Sequence, residues 1–229
     1  MAPIRLHIDH PLAEGQAVPL APEQAHYLFH VMRRGPGDRL RVFDGASGEW
    51  EAEVAQAGRR GALRVGPRTR AMEWPPDLWL LFAPIKRART DLVVEKAAEM
   101  GCRRILPVRT ELTNSERVRA DRLRLHAVEA AEQCGGVFVP EVAEMAPLAA
   151  VLAGWEPGRD LWFCDESLAG GAAAAPPART GRPGAVLVGP EGGFSEGERA
   201  RLRALPFAAP VRLGPRILRA DTAAVAALA

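Results

Sequence analysis

Two glycine- and proline-rich segments near the C-terminus contain the residues best suited to hold a ligand. The first is residues 186–195, Val-Leu-Val-Gly-Pro-Glu-Gly-Gly-Phe-Ser, and the second is residues 213–222, Leu-Gly-Pro-Arg-Ile-Leu-Arg-Ala-Asp-Thr. Each is an apolar strand pattern that runs into a turn and then into a helix pattern. Glycine lacks a Cβ, so the chain can take positive φ and a ligand can touch the backbone, while Pro190 and Pro215 fix the chain direction. One such turn is equally well read as an ordinary strand-to-helix connection, but two together predict a ligand pocket.

The first segment ends in a helix-start signal. Ser195 is followed three residues later by Glu198, which is the spacing of a capping box. Because the first N–H groups of a helix have no intrahelical partner, we expect free donors to open at the pocket.

The elements before these segments divide into two patterns. Residues 5–8, 39–43, 49–55 and 62–65 alternate as short strands do, and a helix is predicted for residues 22–33. This combination favours a small β-barrel of the PUA or OB kind, which is a frequent RNA-binding platform. Trp74-Pro75-Pro76 cannot continue a helix, so the predicted domains are residues 1–72 and 73–229.

The second domain reads as alternating strands and helices. Strands are predicted at residues 78–83, 105–108, 161–164, 186–188 and 211–213, and helices at 90–100, 121–134 and from 221 onward. Near-continuous apolar strands that alternate with helices indicate an α/β fold with a parallel sheet covered on both faces. The Ala-, Gly- and Pro-rich residues 170–183 have no such period and predict a surface loop.

Composition narrows the class of protein. No apolar run approaches a membrane-spanning length. The three cysteines are isolated in the sequence, which argues against a disulfide framework and against a zinc ribbon. Both observations favour a cytoplasmic protein. The net charge is only +2, but arginines cluster, as at Arg33 and Arg34. Guanidinium groups bind phosphate well. Alternatively, because the chain has only two lysines, arginine could simply be the usual cationic residue of its solvated surface. His26 and His30 have metal-ligand spacing but no third ligand nearby, so we expect no metal.

An ordered series of motifs resembles one known family. The series includes the two segments above, with the patterns Gly-Pro-Glu-Gly-Gly-Phe-Ser and Leu-Gly-x-Arg-Ile-Leu-Arg-x-acid-Thr. It also includes Lys86 to Gly101 with Lys96 and Glu99, Ser115-Glu116-Arg117, Glu132-Gln133-Cys134-Gly135, and the N-terminal His26, Val31, Arg33 and Gly37-Asp38. These motifs resemble the RsmE family of ribosomal RNA uracil-N3 methyltransferases, of the SPOUT class. The chain departs from the family at Asp221, usually Glu, at Gly136, usually Arg, and in the length of the 170–183 run.

The resemblance implies a SPOUT-type knotted parallel sheet flanked by helices, preceded by the small PUA/OB-like barrel. It implies that S-adenosylmethionine binds in a C-terminal trefoil knot, held by the loop after Cys164 and by nine residues: Gly189, Pro190, Glu191, Gly192, Gly193, Leu213, Gly214, Ile217 and Leu218. The implied partners are 16S ribosomal RNA or the small ribosomal subunit and a second copy of the chain. Residues expected to contact RNA are Arg33, Arg34, Lys86 and Arg87. No metal and no membrane are implied.

The resemblance also assigns the chemistry to Arg219 and Asp221. Uracil N3–H is a weak acid with a pKa of about 10, close to that of tyrosine, so neutral N3 is a poor nucleophile. Arg219 could stabilise the uracil anion and Asp221 could accept the proton. Alternatively, the two are a helix-start ion pair with Asp221 as the N-cap. Two other functions stay open: methylation of another base or a ribose 2′-hydroxyl, and RNA binding without catalysis in ribosome assembly.

Overall fold

The computed structural model describes residues 3–114, 118–170 and 182–229. It divides into two compact units, Met1–Trp74 with Ala131–Val139, and Pro75–Ala130 with Pro140–Ala229. The Ser115-Glu116-Arg117 motif and most of the predicted 170–183 loop lie outside the described residues, so both stay predictions.

The first unit is built on a five-stranded sheet with strand order β1-β3-β4-β5-β2. Its strands are β1 (Arg5–His7), β2 (Ala17–Pro19), β3 (Arg39–Phe43), β4 (Glu49–Gln56) and β5 (Ala62–Arg70). β1 pairs parallel with β3, and the other pairs are antiparallel. Alternate strand residues such as Val42, Val54 and Leu63 are buried in one apolar core, which is the pattern that predicted the strands. The short edge strand β2 was not predicted.

The predicted helix of residues 22–33 is instead two pieces. α1 covers Pro22–His26, and a π-helical turn covers Tyr27–Val31. The N–H of Met32 donates to the carbonyl of Tyr27 at 2.9 Å, and Arg33 then takes a positive φ of 52°. Hydrophobic spacing does not distinguish an α-helical from a π-helical turn, because both bury Ala25 and Leu28.

The C-terminal end of α3 (Ala120–Cys134) belongs to the first unit and is held there by Arg5. The Arg5 guanidinium donates to the carbonyls of Ala131, Glu132 and Gly136 at 2.7, 2.9 and 2.7 Å. It also forms an ion pair with Glu49 at 2.8 Å. The last carbonyls of a helix have no intrahelical donor, and Arg5 supplies it.

The second unit is built on a parallel sheet with strand order β12-β10-β11-β6-β7-β8, with β9 also paired to β7. The strands are β6 (Leu78–Phe82), β7 (Arg104–Arg109), β8 (Glu141–Val142), β9 (Ala146–Pro147), β10 (Asp160–Cys164), β11 (Gly184–Val188) and β12 (Ala208–Val211). Every pairing is parallel. All five residues of β11 are buried, as expected of a strand covered on both faces.

Helices flank this sheet, which confirms the predicted α/β class. Besides α3 they are α2 (Arg87–Glu99), α4 (Leu148–Ala153), α5 (Glu196–Ala204) and α6 (Ala220–Leu228), with a 3₁₀ turn at Glu166–Leu168. The predicted starts of two elements are wrong by three residues. α2 begins three residues early, because the Thr90 hydroxyl bonds the backbone of Ile85 at 3.1 Å and fixes the turn before the helix. The last strand is Ala208–Val211 rather than residues 211–213.

The trefoil knot stays a prediction.

No helix in the described part of the chain is long and apolar enough to cross a membrane.

Candidate functional site

The carboxyl ends of three neighbouring strands, β12, β10 and β11, border one pocket, whose empty space is about 550 Å³ with its opening to solvent included. In parallel α/β sheets, ligands bind at the carboxyl ends of strands. Three loops supply the lining, which comprises Cys164, Asp165, Glu166, Ala169, Val188, Gly189, Pro190, Glu191, Gly193, Val211, Arg212, Leu213, Gly214, Arg216, Ile217, Leu218, Ala220 and Ala223. The two glycine turns and the loop after Cys164 therefore share one pocket.

Of the nine residues predicted to contact the cofactor, all but Gly192 line this pocket. A Cβ added at Gly192 would instead lie 3.6 Å from the Leu112 side chain. Leu112 belongs to the loop after β7, so that surface of the turn faces another part of the second unit. Leu213, Ile217 and Leu218 supply the apolar wall, and Ile217 is 72% exposed.

The glycines of the pocket serve different purposes. Gly193 and Gly214 have positive φ values of 67° and 108°, a backbone region that favours glycine. Gly189 does not. A Cβ there would lie 3.2 Å from the backbone carbon of Gly193 and 3.3 Å from the Phe194 ring. Close packing of the protein on itself therefore accounts for Gly189, and Gly192 does not take a positive φ either.

The capping box at the start of α5 is confirmed. Ser195 Oγ accepts from the N–H of Glu198 at 3.0 Å, and the Glu198 carboxylate accepts from the N–H of Ser195 at 3.3 Å. The Glu198 carboxylate also accepts from the N–H of Glu111 at 2.8 Å, and Ser195 Oγ donates to the Glu111 carboxylate at 2.5 Å. Neither Ser195 nor Glu198 lines the pocket. The prediction that the helix start opens there is wrong, because the loop after β7 occupies it.

Two carboxylates of the pocket are fixed by α5, which sequence reasoning missed. Arg199 donates to Glu166 at 2.7 Å and to the carbonyl of Phe194 at 2.6 Å. Arg203 donates to Asp165 at 2.5 Å, and Asp165 also accepts from the N–H and the hydroxyl of Ser167. Arg199 and Arg203 are four residues apart and so share one face of α5. In the sequence, only the four-residue spacing of these two arginines could have indicated that they act together.

Cys164 brings a thiol to the pocket. Burial raises the pKa of the Cys164 thiol to about 12, and the negative charge of Glu166 contributes in the same direction. The sulfur is therefore a neutral thiol at physiological pH.

Arg219 and Asp221 lie beside the pocket rather than in its lining, whereas Ala220 between them lines it. Arg219 is the N-cap residue of α6 and its side chain is exposed. Asp221 is the second residue of the helix, so the alternative reading of Asp221 as the N-cap is wrong. Its carboxylate accepts from the N–H of Thr222 at 2.8 Å and lies 3.8 Å from Nε of Arg89.

The residues predicted to contact RNA are divided between the units. Arg33 is exposed and Arg34 is half-buried in the first unit. Lys86 is the N-cap residue of α2 and Arg87 its first residue in the second unit, and both are exposed. Among the described residues, no group of three or more His, Cys, Asp or Glu side chains could hold a metal ion.

Comparisons with known proteins follow the division of the chain. A family model described as RNA methyltransferase domain matches residues 72–229, and one described as RNA methyltransferase PUA domain matches residues 20–64. The ribosomal RNA small subunit methyltransferase E of Synechocystis sp. is 31% identical over 93% of this chain and 71% of that protein. The chain belongs to this methyltransferase E family.

Further members of the methyltransferase E family cover nearly the whole chain. The protein of that name from Rickettsia conorii is 27% identical over 98% of this chain and 93% of its own length. The crystal structure of ribosomal RNA small subunit methyltransferase E from Neisseria gonorrhoeae, bound to S-adenosylmethionine, has 26% identity and a TM-score of 0.87. It covers 100% of this chain and 95% of that one. The resemblance inferred from the motifs is therefore confirmed, as is the expected fold with its N-terminal PUA domain.

Proposed function

We propose that this protein transfers a methyl group from S-adenosylmethionine to N3 of a uracil in 16S ribosomal RNA. The observation that carries the proposal is that both glycine turns line the same pocket, at the carboxyl ends of β10, β11 and β12. Family membership supports it, as does the cofactor bound in the Neisseria gonorrhoeae relative.

The pocket residues fit the parts of S-adenosylmethionine. The apolar side chains of Leu213, Ile217 and Leu218 suit a flat adenine ring, and the adjacent glycine backbone can offer N–H and C=O groups to its edge. Glu191 is exposed at the pocket and does not cap α5, which leaves it available for a ribose hydroxyl or an amino group. The exposed carboxylate of Glu191 favours a cationic group of the ligand. When bound, S-adenosylmethionine supplies an activated methyl group.

The acceptor side is assigned to the start of α6. Arg219 is exposed next to the pocket and is suited to stabilise negative charge on the uracil oxygens as N3 loses its proton. Asp221 is suited either to accept that proton or to hold Arg89 in place, since the two lie within ion-pair distance. Lys86 and Arg87, exposed at the start of α2 in the same unit, would contact the phosphates of the bound RNA.

We also propose the assembly and division of labour. Residues 1–72 would act as the RNA-binding domain and residues 73–229 as the methyltransferase domain, in a cytoplasmic homodimer. Val225 on α6 and Leu92 on α2 are partly exposed apolar side chains that a second copy of the chain could cover. Sedimentation at assay concentration tests the dimer, and a fully active monomer would refute it.

The test of function is methylation by the purified protein. Small ribosomal subunits and free 16S RNA that lack the modification are incubated with S-adenosylmethionine, and the nucleosides are analysed by mass spectrometry. We expect 3-methyluridine, with Arg219→Ala as the impaired control. Another methylated base or a 2′-O-methyl nucleoside would show a different acceptor. RNA binding without cofactor binding in calorimetry would show a non-catalytic factor.

A further inference from the structure

The last residue of α1 and the π-helical turn that follows it display two stacked imidazole rings to solvent. The ring centroids of His26 and His30 are 5.1 Å apart and the ring planes are inclined by 29°. Both residues are exposed, so the pair is not part of the apolar core. Two flat rings stacked at a surface offer an outer face to a third ring, which is how proteins hold unpaired nucleobases.

The backbone around this pair is unusual. Arg33 is the only non-glycine residue among those described that has a positive φ, which costs about 1 kcal/mol or more for a residue with a Cβ. It follows directly on the π-helical turn, and the N–H of Arg34 donates to the carbonyl of Leu28 at 2.9 Å. Strained residues and π-helical turns concentrate at functional sites. Here Val31 is 58% exposed, and Arg33, three residues after His30, is also exposed.

Cationic side chains border the same turn. A Cβ added at Gly61 would lie 2.4 Å from the Phe29 ring, so the turn between β4 and β5 lies directly against the π-helical turn. That β-turn carries Arg59 and Arg60, both exposed. Between residues 20 and 37 the sequence has a single acidic residue, Glu23. Positive charge next to an aromatic face is the combination that binds single-stranded nucleic acid.

We propose that His26 and His30 form a stacking site for one unpaired RNA nucleotide, with Arg33 and the 59–60 turn holding its flanking phosphates. The inference rests on the proposed function for the class of partner, and it adds a base contact to a domain otherwise assigned only phosphate contacts. The occupant is single-stranded RNA, because an imidazole pair gives no means to read a paired base inside a helix.

The test is the affinity of the full-length protein for a fluorescently labelled oligouridylate of about twelve nucleotides, within the usual site size for such surfaces. The control ligand is an abasic strand of equal length, which has the same phosphates but no bases. Measurements over a range of salt concentrations separate stacking from charge, since the contribution of charge falls with salt. We expect the wild type to prefer the strand with bases, and the His26→Ala/His30→Ala double variant to lose about tenfold in affinity for it. Affinity for the abasic strand and the salt dependence should not change.

Two further variants make the result specific. His26→Tyr/His30→Tyr keeps flat rings and should restore the preference for bases, whereas His10→Ala removes an imidazole from the loop after β1 and should behave as wild type. An unchanged affinity in the double Ala variant, or an equal loss on the abasic strand, would overturn the proposal. Methylation of ribosomal RNA is assayed separately. A wild-type protein that binds oligouridylate through the histidines but transfers no methyl group would refute the proposed function and leave the stacking site standing.

Discussion

Replacing Gly193 by alanine should weaken cofactor binding through the loop itself rather than through the ligand. Gly193 has a φ of 67°, and a Cβ added there would lie 2.0 Å from Oε1 and 2.3 Å from Cδ of Glu166. The carboxylate would have to move, and its 2.7 Å bond to Arg199 would break. A side chain at this position therefore meets Glu166 before it can reach a ligand.

The expected magnitude follows from these two effects. The left-handed conformation costs a residue with a Cβ about 1 to 2 kcal/mol. Loss of a partly exposed ion pair adds about 1 kcal/mol at most. If the loop escapes this strain by leaving its binding conformation, the fraction of competent molecules falls, and the apparent affinity falls with it. A total of about 1 to 3 kcal/mol corresponds to a cofactor affinity roughly 5- to 150-fold weaker.

Calorimetric titration with S-adenosylmethionine measures this change, and Gly192→Ala is the matched control. Gly192 lies in the same turn without positive φ, and its Cβ would meet only Leu112 at ordinary contact distance. We expect Gly192→Ala to bind as wild type. Equal losses in the two single variants, or none in Gly193→Ala, would refute the reasoning.

Four other expectations concern different parts of the molecule. Arg219→Ala should lower turnover by about a hundredfold, in the range for loss of one charge-stabilising donor, with cofactor affinity by calorimetry nearly intact. Asp221→Asn retains a side chain that can bond Thr222 but removes the base, so full activity across the pH range would show that the carboxylate is only structural. Replacing Arg33 and Arg34 by Ala should weaken RNA binding and reduce its salt dependence by about one to two counterions, and an unchanged slope would contradict this. Burial raises the pKa of the Cys164 thiol to about 12 from its ordinary 9.0, so the free energy of unfolding should fall as pH rises from 9 toward 12, where only the unfolded chain ionises. Denaturant titration should show this loss in the wild type and not in Cys164→Ala.

The sequence predicted the sheet of the second unit well where strands are apolar, and less well where prolines interrupt them. β6 and β11 are nearly continuous apolar runs and lie where expected. β12 was placed too late because Pro206 and Pro210 argue against a strand. Pro210 is tolerated since β12 is the edge strand and pairs only with β10. β8 and β9 have two residues each and give no periodic signal.

The site was predictable to the extent that it is built from local backbone. Glycine and proline determine turn geometry from within a few residues, so the two turns could be found without knowing the fold. The Glu166–Arg199 and Glu111–Ser195 contacts join residues far apart in sequence, and ordinary charged residues give no sign of their distant partners. The same limit applies to Asp221, whose neighbour Arg89 comes from a helix more than a hundred residues earlier.

The burial of the Cys164 thiol bears on whether the enzyme can be methylated on its own sulfur. A sulfonium methyl donor is an electrophile toward any good nucleophile, and a cysteine thiolate is among the strongest that a protein contains. Cys164 lines the pocket proposed for that donor. Since its thiol stays protonated at physiological pH, the enzyme would be spared methylation of its own sulfur. A substitution that admitted water to this wall, or placed a cation beside it, would turn a harmless lining residue into a site of self-inactivation.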